Sequence, residues 1–90
     1  MTLLGMLLAQ TVLAAEPALP PDAEKWVQRY DACEHWLGEE PYDAKRRRQI
    51  NKAIKSVCFG LEKQRAALIA RYPNNIAVDR ITSERPPLGA

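Results

Sequence analysis

The 90-residue sequence predicts an all-α fold: a small disulfide-stapled antiparallel helical hairpin with a short C-terminal helix or turn and a disordered tail. Three observations carry this expectation. Ala23, Trp26, Tyr30, Cys33 and Leu37 recur at spacings of 3, 4, 3 and 4, which is one face of a helix. A second apolar row, Ile50, Ile54, Val57, Leu61 and Leu68, follows the turn GEEPYD. Cys33 and Cys58 are the only cysteines, one in each segment.

The chain opens on MTLLGMLLAQTVLAA, which has no charged side chain, an apolar core of Leu3, Leu4, Met6, Leu7 and Leu8, and small residues before Glu16. Residues 1–15 therefore read as a secretory signal peptide, cleaved after Ala14 or, preferably, after Ala15. Residues 16–21, EPALPP, form a Pro-rich linker that keeps the junction extended. The apolar run falls short of the about 20 residues a bilayer-spanning helix needs, so no transmembrane anchor is expected after signal removal. An uncleaved amphipathic or buried helix is the competing reading. No Lys or Arg precedes Lys25, so the positive n-region of a signal is reduced to the amino terminus, and the true start codon is expected upstream. No cysteine follows the run directly, which argues against a lipidated N-terminus.

About 75 residues then remain, a size at which a single core is marginal and a covalent or metal staple is common. An even cysteine count in an exported chain reads as a disulfide, Cys33 to Cys58. Closing that loop contributes roughly 3.5 kcal/mol in the chain-entropy model. Zinc would need more ligands than two thiols and one histidine readily give.

Within the predicted domain, residues 22–81, Asp22 is the expected N-cap of the first helix and Gly38 its C-terminal cap. Pro41 cannot continue that helix, and it forces Glu40 to be extended. Asp43 caps the second helix, whose apolar row is broken by Gln64 and Arg65, with Tyr72 near its end and Pro73 stopping it. Gly60 costs about 1 kcal/mol in a helix interior, so this arm is either kinked there or divided into two helices. Asn74 and Asn75 start a turn, NIAVDRI makes one short helix, and residues 82–90 are expected to be a disordered tail.

The staple constrains how the arms slide past each other. In a straight hairpin Cys33 lies about 7 Å before the turn and Cys58 about 22 Å after it, yet bridged Cα atoms must lie within about 7 Å. The second helix must therefore begin beyond the end of the first, leaving residues 44–49 overhanging with little to pack on. This register sets Leu37 near Ile54, Tyr30 near Leu61, and Trp26 near Arg65 and Leu68. Charge favours the same pairing: residues 16–43 hold eight acids and two bases, net −6, and residues 44–71 hold nine bases and one acid, net +8.

Three groups of residues are candidates for chemistry or contact. Lys45 to Arg48, KRRR, offers charge for phosphates or an acidic partner, but four consecutive bases occupy every side of a helix. Export and the acidic first helix argue against nucleic acid. Asp31, His35 and Glu39 follow an i, i+4, i+8 series that would align three metal ligands if the helix continued past Gly38. A hydrolase would need a nucleophile near His35, and Ser56, Thr82 and Ser83 lie elsewhere in the chain. The cysteines lack the Cys-x-x-Cys spacing of redox catalysts, and no cofactor is expected. The third group is Trp36, Glu39, Glu40, Tyr42, Arg46 and Arg47, where aromatics beside Arg at an exposed end have the composition of a binding hot spot.

The block CEHWLGEEPYDAKRRRQINKAIKSVC resembles that of small uncharacterised exported proteins of Gram-negative bacteria, in which a C-x-H-W-x-G-E core precedes a basic helix and a second cysteine. The resemblance covers under a third of the chain, implies export and the cysteine pair, and brings no activity with it. The expectation from sequence is a periplasmic or secreted helical protein, not an enzyme, that binds another periplasmic or secreted protein as an inhibitor, immunity-type or envelope accessory protein. Its alternative is a periplasmic metal-binding protein using His35 with Asp31 and Glu39.

Overall fold

A computed structural model describes residues 18–88, and these form four helices: α1 (Pro21–Leu37), α2 (Ala44–Cys58), α3 (Leu61–Arg71) and α4 (Ile76–Ser83). No strand occurs among the described residues. The predicted signal peptide and the first two linker residues lie outside them.

α1 starts two residues before the sequence suggests. Pro20 is the N-cap and Pro21 the first helical residue, a position where the missing N–H costs nothing. Asp22 therefore falls inside the first turn, and its carboxylate is free to accept from Arg71 Nη1 at 2.7 Å and from the Tyr72 hydroxyl at 2.9 Å. Gly38 ends the helix, its N–H reaching the Glu34 and His35 carbonyls. Asp43 caps α2 by accepting from the Arg46 amide at 2.7 Å, and Asn75 caps α4 by accepting from the Val78 amide at 3.0 Å.

The second arm is two helices. Phe59 is extended (ψ 128°) and Gly60 adopts the left-handed conformation (φ 78°), a state glycine reaches without the Cβ penalty. Two α1 side chains fasten this corner. Trp26 Nε1 donates to the Leu61 carbonyl at 2.9 Å, and Arg29 donates to the Ser56 and Phe59 carbonyls at 3.1 and 2.5 Å and to Gln64 Oε1 at 2.9 Å. Arg29 thereby satisfies carbonyls that the end of α2 leaves open.

The disulfide joins Cys33 to Cys58 with their Cα atoms 5.1 Å apart. Cys33 is four residues from the end of α1 and Cys58 fourteen from the start of α2, so α2 overruns α1 by about 15 Å. Of the six residues expected to overhang, 44–49, five are exposed; the exception is Arg46, which folds back over the end of α1.

The main core comprises Ala23, Trp26, Tyr30 and Cys33 from α1, Leu61 and Leu68 from α3 and Val78 from α4, with Val57, Cys58 and Tyr72 packed against it. The expected proximity of Trp26 to Arg65 is realised, the guanidinium carbon lying 4.9 Å from the ring centre. Leu37 is a correction: it is 45% exposed rather than covered by Ile54. Because the arm bends at Phe59–Gly60, α1 faces α3 before the corner and α2 after it. The contact line moves with the change of partner, and Trp36 is half-buried in place of Leu37.

The segment expected as a tail begins inside α4, and its first part is tied down. Thr82 is buried, its hydroxyl donating to the Val78 carbonyl at 2.9 Å. Arg65 donates to the Thr82 carbonyl at 2.6 Å and to the Arg85 carbonyl, the Tyr30 hydroxyl donates to the Pro86 carbonyl, and Leu88 packs on the core. Residues 89 and 90 lie outside the described residues.

Candidate functional site

The end of the hairpin nearest the Gly38–Asp43 turn is built by two helix termini. The last turn of α1 presents Trp36, the turn presents Glu39, and the first turn of α2 presents Arg46, directed inward because Asp43 fixes the α2 N-terminus. Arg46 places its guanidinium carbon 5.3 Å from the Trp36 ring centre, and its Nη2 meets Glu39 Oε1 at 2.6 Å. The His35 ring stands edge-on to Trp36 with centroids 5.5 Å apart, and its Nε2 is 3.8 Å from Glu39 Oε2. Arg46 Nη1 also reaches Gln49 Oε1 at 3.3 Å, while Arg46 Nε is buried without a hydrogen-bond partner among the described residues.

Of the six residues singled out by sequence, the fold brings Trp36, Glu39 and Arg46 together. Glu40, Tyr42 and Arg47 stay exposed, and no hydrogen bond or ion pair joins them to the cluster among the described residues. Tyr42 is 81% exposed, an aromatic held out from the turn beside a preassembled cation, carboxylate and indole. Arg47 is one residue, and about 100° of helix, away from Arg46.

The metal-ligand series is not assembled. α1 ends before Glu39, whose carboxylate is taken by Arg46, while Asp31 pairs with Arg85 at 3.3 Å. No group of three His, Cys, Asp or Glu side chains able to hold a metal ion occurs among the described residues. Of the hydroxyls weighed as nucleophiles, Thr82 and Ser83 donate to carbonyls of their own helix, and Ser56 is exposed on α2.

Two further residues do more than the sequence shows. Arg65 interrupts the apolar row of the second arm and reads as a break, and Arg29 lies off the apolar row of the first, yet each clasps a helix end. The signal for Arg65 was its register opposite Trp26; for Arg29 the sequence holds no signal, because its acceptors are mainly backbone carbonyls. A cleft of about 430 Å³ lies away from the tip, between α1 and α3, over Trp26, Ala67 and Leu68 and beside Lys25 and Arg29. Asp22 at its rim is held below the ordinary carboxylate range, first by the Tyr72 hydroxyl and also by Arg71. The Tyr72 hydroxyl is correspondingly raised by the Asp22 carboxylate, and burial raises that of Tyr30. Among the described residues no helix is long and apolar enough to cross a membrane. No protein-family model matches the chain, no curated protein matches it and no solved structure matches it, so fold and geometry are the whole basis for a functional reading.

Proposed function

We propose that the protein is an exported, non-catalytic binding protein, of the inhibitor, immunity or envelope accessory type, that meets its partner through the tip formed by Trp36, Glu39, Glu40, Tyr42, Arg46 and Arg47. The observation that carries this reading is Tyr42, 81% exposed beside the Trp36–Arg46–Glu39 assembly. A tyrosine offers large contact area at little conformational cost, and tyrosine, tryptophan and arginine dominate binding hot spots. The arginine is already desolvated against an indole and a carboxylate, so little side-chain entropy is left to lose on association. The disulfide supports both parts of the reading, since it suits an oxidising compartment and fixes the overrun that places the tip.

The test is a photo-crosslinking amino acid at position 42, with position 69 as control, because Ile69 is also exposed but lies on α3. Applied to the oxidised protein in periplasmic extract, the reading expects a discrete adduct from position 42 and none from position 69. Affinity for the species so captured should fall at least about tenfold in Tyr42→Ala combined with Arg46→Glu. Equal adducts from both positions, or undiminished affinity of the double variant, would remove the tip as the contact surface.

A further inference from the structure

The exposed side of α2 carries a row that the run KRRR conceals. Lys45, Arg48, Lys52, Lys55 and Phe59 follow one another at spacings of 3, 4, 3 and 4, and all five are exposed. At 100° per residue they fall within an arc of about 80°, on the side of the helix opposite Ile50, Ile54 and Val57. The row is straight, about 21 Å long, and turned away from acidic α1, which packs on the other side. Its four cations have no ion-pair partner among the described residues, whereas Arg46, a neighbour in the run, points inward to Glu39. At its end Phe59 is 81% exposed, because the corner with Gly60 carries the chain away before anything can cover the ring.

From this row we infer that the outer face of α2 lies on an anionic lipid surface, with the four cations at the level of the headgroups and Phe59 dipping into the acyl boundary. The shape favours a lipid surface over other polyanions. A convex helix face touches a plane along its whole length, while a nucleic acid strand is held in a groove lined by successive stacking aromatics, and this row forms no groove and carries a single aromatic at one end. Three of the four cations are lysines, compact charges suited to diffuse attraction by many headgroups rather than to forked recognition of one. An exposed phenylalanine in line with cations gains by transfer to the interface and gains nothing against a purely charged partner. None of the five residues belongs to the tip cluster, so this inference does not rest on the proposed partner.

The test compares the oxidised full chain on vesicles of phosphatidylglycerol and phosphatidylcholine in equal parts with its binding to pure phosphatidylcholine vesicles, by co-sedimentation. The readout is the ratio of the two affinities, which cancels any charge-independent attachment through other apolar segments. Each cation near an anionic surface strengthens binding about fivefold, so Lys52→Gln should lower the ratio about fivefold and Lys52→Glu about 25-fold. Lys25→Glu, the same change of net charge placed on α1, should alter it less than about threefold. Phe59→Ala should weaken binding to the anionic vesicles about fivefold. In 0.5 M NaCl, where the Debye length is about 4 Å, the ratio should approach one. The inference is overturned if the native ratio is near one at low salt, or if Lys25→Glu acts as strongly as Lys52→Glu. It is equally overturned if a single-stranded oligonucleotide binds more tightly than the vesicles and shows the same sensitivity to Lys52.

Discussion

Replacing Arg65 by methionine tests whether a charge in an apolar row acts as a structural clasp. The Arg65 side chain is 14% exposed; its guanidinium lies over Trp26, donates to the Thr82 and Arg85 carbonyls, and meets Glu62 Oε1 at 2.8 Å. Methionine keeps the stem and loses every one of these contacts. A hydrogen bond from a charged donor contributes about 1.5 to 3 kcal/mol, and a partly exposed cation–π contact about 0.5 to 1 kcal/mol. The freed carbonyls regain some water at the chain surface and the Glu62 pair is exposed, so the low end of each range applies, and the net cost is about 3 kcal/mol. For a domain of this size that is a fall of at least about 12 °C in Tm. Arg71→Met is the control: that guanidinium is 65% exposed and pairs with Asp22, so its loss should cost under about 1 kcal/mol. Urea unfolding followed by circular dichroism measures both, and amide exchange should accelerate in α4 more than in α2 for Arg65→Met. Equal losses in the two variants, with exchange in α4 unchanged, would refute the clasp.

Acid should loosen the junction of α1 with the end of α3. Asp22 is held below its ordinary value of 3.8 by Tyr72 and Arg71, so its contribution is complete above about pH 4 and disappears as pH falls through the lower folded-state value. The Tm difference between the native protein and Asp22→Asn should therefore be constant from pH 7 to 5 and shrink as the pH falls below about 4 in a calorimetric series. Reducing the disulfide, which spans a sequence separation of 25, should cost about 3.5 kcal/mol in urea titrations performed with and without a thiol reductant. Gly60→Ala should cost only about 1 kcal/mol by the same measurement, because an added Cβ meets nothing within 4 Å and the left-handed backbone is the whole penalty.

Side-chain patterns revealed what side chains do to each other, and left hidden what backbone groups do. The row Ala23, Trp26, Tyr30, Cys33 was legible because each residue is apolar and helically spaced, and all four are buried. Asp43 and the cysteine pair were legible for similar reasons of chemistry and position. The division of the second arm was ambiguous because Val57 and Leu61 keep helical spacing across the corner, leaving Gly60 as its one sign. The exposure of Leu37 followed from that ambiguity. Residues 84–88 contain no apolar row, and what holds them is chiefly backbone carbonyls of Arg85 and Pro86 accepting from Arg65 and Tyr30. At the tip, Trp36, Glu39 and Arg46 could be placed together from the two helix ends, whereas Arg47 points elsewhere through the geometry of consecutive helical residues.

The charge segregation calls for a different account from the one the sequence invites. A net −6 segment beside a net +8 segment suggests that attraction holds the arms in register. Yet of the nine cations in residues 44–71, only Arg46 and Arg71 pair with carboxylates of the acidic segment among the described residues, one at each end of the packed region. The Arg71 pair is largely exposed, and such pairs contribute about 0 to 1 kcal/mol. The disulfide, the Trp26 and Arg29 bonds at the corner and the Arg65 clasp are larger contributions, and all but the disulfide involve uncharged acceptors. Register is therefore set by the cross-link and by capped helix ends, and most of the basic excess does no work inside the fold. Of the six cations left after Arg46, Arg65 and Arg71, four are ordered into one exposed row ending in a bare phenylalanine, which makes an external anionic surface, rather than the chain's own first helix, its natural complement.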